Sequence, residues 1–242
     1  MFLVNNKSFV SFDNYVDLSS LFELKPFVST FIARNNHLIK PTKYVRGNLL
    51  DPENTVWHYQ NAFEQNIDSI ENNKLRTELV DLCNRDLFGN YIIFEEEISS
   101  GPFTITTRYA NSYTNKHLES NCTKIPEDSQ LSFFYNWLDN QNIFKDYGRI
   151  TIFLNYTGTS TVIHKDFPDV NQANSDEFIW ISFNNRKKFF LLDVPNNDKI
   201  YLPGHCLWFN TGNYHGSDPA EHACYSIRVD GVFSENFKQR AF

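Results

Sequence analysis

Apolar and polar positions alternate most clearly in the second half of the chain. Arg149-Ile150-Thr151-Ile152-Phe153-Leu154-Asn155-Tyr156 reads as a strand, Thr157-Gly158-Thr159-Ser160 as a turn, and Thr161-Val162-Ile163-His164 as the returning strand. Residues 177–183, 186–192, 199–202, 206–209 and 225–229 follow as further short strands. Asn184-Asn185, Pro195-Asn196-Asn197-Asp198, Pro203-Gly204 and Asn210-Thr211-Gly212-Asn213 separate them as turns. Short strands at regular spacing with turn residues between them argue for a sandwich or barrel, beginning at Gly148.

The first half is less regular. Phe2-Leu3-Val4 and Phe9-Val10 read as short strands, and Leu21-Phe22-Glu23-Leu24 as an apolar run stopped by Pro26. Residues 52–87 read as helix, with Asp51 as the cap and Pro52 at the first helical position. Trp57, Phe63, Ile67 and Ile70 form its apolar face, Leu75, Leu79, Leu82 and Cys83 continue it, and Gly89 offers a stop. Tyr91-Ile92-Ile93-Phe94 and Phe103-Thr104-Ile105-Thr106-Thr107-Arg108-Tyr109 are strands. Residues 110–128 form a polar loop, expected near a substrate entrance. Leu131, Phe134, Tyr135 and Leu138 give an amphipathic helix. The expectation is a single domain, mainly β with flanking helices (α+β): a helical and strand extension over 1–147, packed on a β core over 148–234.

Composition narrows the function. The chain has 242 residues, enough to bury a sizeable core, and a formal net charge of −7. Phosphate affinity comes largely from Lys and Arg, so the acidic balance argues against a general nucleic-acid binder. Cys83, Cys122, Cys206 and Cys224 form no Cys-x-x-Cys pair and no zinc-finger spacing. Reduced thiols in a cytoplasmic protein are expected, with Cys206 and Cys224 in the core. The N-terminus lacks signal-peptide character, and no apolar stretch reaches membrane-spanning length.

The chemistry concentrates in Ile163-His164-Lys165-Asp166-Phe167, Tyr214-His215-Gly216 and Ser226-Ile227-Arg228. On a strand, residues i and i+2 share a face, so His164 and Asp166 converge while Lys165 turns away. With His215 they make a two-histidine, one-carboxylate triad that holds one face of an octahedral Fe(II) and leaves the other positions open. Arg228 follows on a strand and shares a face with Ser226. Its planar fork suits a carboxylate. His205 and His222 are alternative metal ligands. Arg186-Lys187-Lys188 reads as a solvated strand edge, although Lys188-Phe189-Phe190-Leu191 through Pro195 resembles JmjC-type hydroxylases, which implies a middle-strand Lys as an alternative carboxylate anchor.

The order His-x-Asp, distal His, then Arg resembles the 2-oxoglutarate- and Fe(II)-dependent dioxygenases, over residues 148–234. The matching positions are His164 and Asp166, then His215, then Arg228. The resemblance implies a double-stranded β-helix core, a jelly roll of the cupin type. It implies Fe(II) on His164, Asp166 and His215. It also implies 2-oxoglutarate and O2 as co-substrates, with the 5-carboxylate on Arg228 assisted by Ser226. Asn155 or Tyr156, on the strand before the motif, is a further contact to 2-oxoglutarate, with Tyr156 favoured. The reaction implied is hydroxylation of an amino acid, free or in a protein, or of a small metabolite. Succinate and CO2 are released. Demethylases of nucleic acids carry a second Arg six residues after the first, where this chain has Ser234. Halogenases replace the carboxylate that Asp166 supplies. A cupin that binds metal or ligand without turnover is the other class, and a buried Arg228 argues against it.

Overall fold

A computed structural model describes residues 7–41, 45–49, 56–58, 91–95, 103–110, 115–124, 126–161, 163, 166, 177–183, 187–193, 196 and 198–242. Along the chain these form β1 (Phe9–Ser11), α1 (Leu18–Glu23), α2 (Lys25–Arg34), β2 (Lys40–Pro41), β3 (Val45–Leu49), β4 (Val56–His58), β5 (Tyr91–Glu95), β6 (Phe103–Ala110) and β7 (Cys122–Lys124). Then come α3 (Ser132–Gln141), β8 (Phe144–Asn155), β9 (Phe178–Ser182), β10 (Phe189–Asp193), β11 (Asp198–Tyr201), β12 (Cys206–Phe209), β13 (His215–Ser217), β14 (Cys224–Phe233) and α4 (Glu235–Ala241). The described residues are mostly β with few helices.

The large sheet runs β1-β12-β9-β14-β8-β6-β2, with β7 on β6. A smaller one runs β11-β10-β13, and a third, β4-β3-β5, is formed by residues 45–95. Antiparallel register fixes what each face of the large sheet carries. Ile152, Ile227 and Ile181 lie in one row and Ile150, Val229 and Ile179 in the next. This face packs into a single core with Val28 and Phe31 of α2 and Phe134 and Leu138 of α3. The opposite face carries Thr151, Arg228 and Trp180 in one row and Phe153, Ser226 and Ser182 in another. It looks onto the small sheet: Phe189 of β10 meets Trp180 at 5.3 Å and Phe209 at 5.1 Å between ring centroids. Polar residues on a buried face between two sheets are the first pointer to a site.

Several expectations change. Pro26 begins a helix, sitting in the first turn of α2 where its missing N–H is harmless. Residues 56–58 of the expected 52–87 helix are a strand paired with β3, in keeping with the β preference of Val56 and Trp57. The rest of that helix lies outside the described residues, as does Phe2-Leu3-Val4. β8 starts at Phe144, not Gly148, and the 110–128 stretch contains β7 and 3-10 turns at Glu119–Asn121 and Pro126–Leu131. Gly148 instead lets another segment approach: a Cβ there would stand 2.5 Å from the Lys116 carbonyl oxygen. Cys206 and Cys224 are buried, and among the described residues no helix is long and apolar enough to cross a membrane.

Candidate metal and carboxylate site

His215 opens β13 opposite Leu191, and its ring packs on Phe209 with centroids 5.1 Å apart. Its Nδ1 lies 2.9 Å from the Asn213 carbonyl. A carbonyl can only accept, so Nδ1 carries the hydrogen and Nε2 of the neutral ring presents a lone pair. That atom stands 3.5 Å from Oδ1 of Asp166, and both side chains are 4% exposed. Asp166, Thr161 and Gly158 are each bonded to the 211–220 segment. The N–H of Asp166 donates to Thr211, that of Ser217 to Thr161, and that of Gly158 to Ala220. Asp166 and His215 are thereby brought together between the sheets. His164 lies outside the described residues.

Two acceptor atoms facing each other in a buried space repel unless something positive lies between them. Donors about 2.1 Å from one divalent ion stand roughly 3.0 to 3.5 Å apart at octahedral to tetrahedral angles. The pair therefore fits two ligands of one ion, with the Asn213 carbonyl fixing the tautomer of His215.

Arg228 is next to this pair. Its Nη1 donates to Oδ2 of Asp166 at 3.0 Å and its Nε to Oδ1 of Asp230 at 2.8 Å. The guanidinium lies 3.9 Å over the Phe178 ring. Asp230, fully buried, also accepts from Arg149 Nε at 2.8 Å and stands 3.6 Å from Lys116 Nζ. Burial alone would raise the Asp230 carboxyl, but Arg149, Arg228 and Lys116 outweigh it and hold it well below the usual carboxylate range.

A second cluster sits at the Asn155 end of the same face. Lys187, read as one of a solvated basic trio, is 7% exposed. Its ammonium lies 5.7 Å from the Phe153 ring centroid and 5.6 Å from that of Phe189. Among the described residues it has no hydrogen-bond or ion partner. Burial pushes its pKa down to about 8, offset slightly by Cys224. Among the described residues, Asn155 Oδ1, Thr161 Oγ1 and Ser226 Oγ are buried without a hydrogen-bond partner. Register ties these groups together: Asn155 is opposite Cys224, Ser226 opposite Phe153, and Asn155 Nδ2 donates to Thr159, two residues before Thr161. A buried cation beside two hydroxyls that can donate fits an anionic group, whereas the Asn155 amide oxygen, an acceptor, suits a donor.

The remaining candidates separate clearly. Tyr156 is 44% exposed while Asn155 is 2% exposed, which reverses the preference between them. Opposite parity on one strand puts only one of two neighbours on the buried face. His205 is held by Phe22 and the Ser182 carbonyl, and His222 is exposed. Lys188 is exposed and pairs with Glu221 at 2.9 Å, and Arg186 lies outside the described residues. Ser234, where a second Arg would stand, caps α4 through the Phe237 N–H. Parity did not single out Lys187, because Phe189-Phe190-Leu191-Leu192 is apolar at both alternate positions.

No family model and no curated protein matches the sequence. Among solved structures, the chain is similar to an oxidoreductase of the 2OG-Fe(II) oxygenase family from Burkholderia pseudomallei. The identity is 10%, 56% of this chain and 69% of that one are covered, and the TM-score is 0.35. A Pseudomonas putida prolyl-4-hydroxylase matches at 16% identity over 64% of this chain and 83% of its own, with a TM-score of 0.31. A Trichoplax adhaerens prolyl hydroxylase, in complex with a hypoxia-inducible-factor peptide fragment, matches at 12% identity over 70% and 96%, with a TM-score of 0.33. Scores of this size leave the functional reading to the chain's own residues.

Proposed function

We propose that the chain is a 2-oxoglutarate- and Fe(II)-dependent oxygenase on a double-stranded β-helix core. Its substrate is an amino acid, free or within a protein, or a small metabolite, which it hydroxylates. The observation that carries this reading is the pair of facing acceptors, His215 Nε2 and Asp166 Oδ1, 3.5 Å apart in a buried space. The strand order supports it: β12-β9-β14-β8 faces β11-β10-β13, with the Thr161 carbonyl accepting from Ser217 of β13.

His164 joins Asp166 and His215 as the iron ligands. Arg228, the anchor expected from the sequence, has its fork engaged by Asp166 and Asp230. The anchoring of the 2-oxoglutarate 5-carboxylate passes to Lys187, with the hydroxyls of Thr161 and Ser226 donating hydrogen bonds. When bound, iron and 2-oxoglutarate supply the oxidising power from O2, with release of succinate and CO2. The chain's residues bind and orient. Asn213 holds the His215 tautomer, Lys187 meets the anion, and the wall of Phe153, Trp180, Phe189 and Phe209 keeps water from the centre.

The test is anaerobic absorbance on adding Fe(II) and then 2-oxoglutarate. A weak visible band that needs both is expected from the wild type, and Lys187→Met should raise the 2-oxoglutarate needed by tenfold or more. Iron binding without any such band would leave a metal-binding cupin instead, and no metal binding would remove the site altogether.

A further inference from the structure

Resting on that reading of Asp166 as a ligand, we infer that Arg228 is a positioning residue for the metal-binding carboxylate. It holds Oδ2 of Asp166 so that Oδ1 is the oxygen turned toward His215 Nε2 and the metal. A carboxylate with both oxygens uncommitted can rotate or chelate through both. One directed, charge-assisted bond at 3.0 Å to Oδ2 removes that freedom, while Oδ1 stays 3.5 Å from His215 Nε2. The guanidinium can do this because it is itself held on three sides. Nε is bonded to Asp230, the plane lies on Phe178, and the side chain is 9% exposed. Asp230 in turn is gripped by Arg149 and faced by Lys116. Asp230 also balances the Arg228 charge, so that Asp166 keeps its strength as a ligand.

The chain of charges reaches beyond the two sheets. Lys116 belongs to the segment before β7, and its carbonyl accepts the Arg149 N–H at 2.7 Å. Glu119 of the same segment pairs with Arg108 at 3.1 Å, and its N–H donates to Asp146. The run Lys116, Asp230, Arg228, Asp166 thus connects this segment to the metal ligand through alternating charges. Partners that hold a ligating side chain typically matter by about 10- to 100-fold in metal affinity.

Cobalt(II) titration, without 2-oxoglutarate, tests this by visible absorbance. Arg228→Gln should bind Co(II) about 10- to 100-fold more weakly with a changed visible band. Arg228→Lys, which can reach Asp166 but not bond Asp230 through the same fork, should fall between it and the wild type. A folded Arg228→Gln with wild-type Co(II) affinity and spectrum overturns the inference, and if it also loses 2-oxoglutarate binding, Arg228 is the anchor after all. Should Arg228→Gln not fold, Arg228→Lys decides: an unchanged affinity and band would overturn the assignment. Asp166→Ala separates the two failures, because wild-type Co(II) binding there would sink the ligand reading itself.

Discussion

Nε2 of His215 and Oδ1 of Asp166 stand 3.5 Å apart, and with Nδ1 bonded to the Asn213 carbonyl both are acceptors. A metal between them replaces repulsion by two bonds and stabilises the fold by linkage. At a free metal concentration a hundred times its dissociation constant the gain is about 2.7 kcal/mol. For a chain of this size that raises the melting temperature by roughly 5 to 10 °C. Asp166→Ala and His215→Ala should lose this shift. Differential scanning fluorimetry with and without Mn(II), after chelator treatment, checks it; an equal shift in either variant contradicts the assignment.

Lys187 predicts a pH dependence. Its folded-state pKa, about 8, lies below the ordinary 10.5 because burial disfavours the ammonium. Between these values the unfolded chain holds the proton and the folded one does not. This group's contribution therefore rises with pH across that window, and the burden of the buried charge is fully present below pH 8. Lys187→Met should stabilise the ligand-free protein at pH 7, by on the order of 1 to 3 kcal/mol. Urea unfolding at pH 7 and pH 10 measures this, with the gain shrinking at the higher pH.

The same group sets the affinity for an anion. A bound carboxylate favours the ammonium, so binding above pH 8 takes up a proton. The 2-oxoglutarate dissociation constant should be flat below pH 7.5 and rise toward tenfold per pH unit above about 8. Cys224 is the titratable neighbour of Lys187, and Cys224→Ser should keep the profile. Calorimetry with Mn(II)-loaded protein in buffers of different ionisation heat would report the proton directly. A profile without a break near pH 8 would exclude Lys187 as the anchor.

Two signals made parts of the fold legible in advance. Alternation marked β8 and β14, while β9 and β12 are short apolar runs buried on both faces and bounded by turn residues such as Asn210-Thr211-Gly212-Asn213. Residues 56–58 were misread because Trp57 was counted into the loose apolar face of Phe63, Ile67 and Ile70, whereas Val56–His58 pairs with β3. Arg228 was placed correctly on the buried face, yet its partners could not be read. Asp166 is distant in sequence, and Asp230 carried no signal beyond its parity with Arg228. Lys187 was obscured by its neighbour: Lys188 is solvated and pairs with Glu221, and a run of like charges hides that adjacent positions face opposite ways.

Gly148 offers a test of how the segment before β7 bears on the site. A Cβ at this position would lie 2.5 Å from Lys116 O, 2.9 Å from Cys122 Sγ and 2.9 Å from Leu118 N. Backbone stands at two of these contacts, so the clash cannot be relieved by a rotamer change. Gly148→Ala should push the 115–121 segment off β8, breaking the bond from the Arg149 N–H to Lys116. Overpacking of this kind destabilises by typically 1 to 3 kcal/mol. Cys122 is half-buried, and burial raises its thiol above the ordinary value, so in the wild type it should react slowly with a thiol reagent. In Gly148→Ala its labelling should speed up several-fold, while Cys206 and Cys224 stay protected in the core. Melting curves and mass-resolved labelling read the two effects separately. An unchanged Cys122 rate alongside a lowered melting temperature would mean that β8 yields to the clash and the segment stays in place.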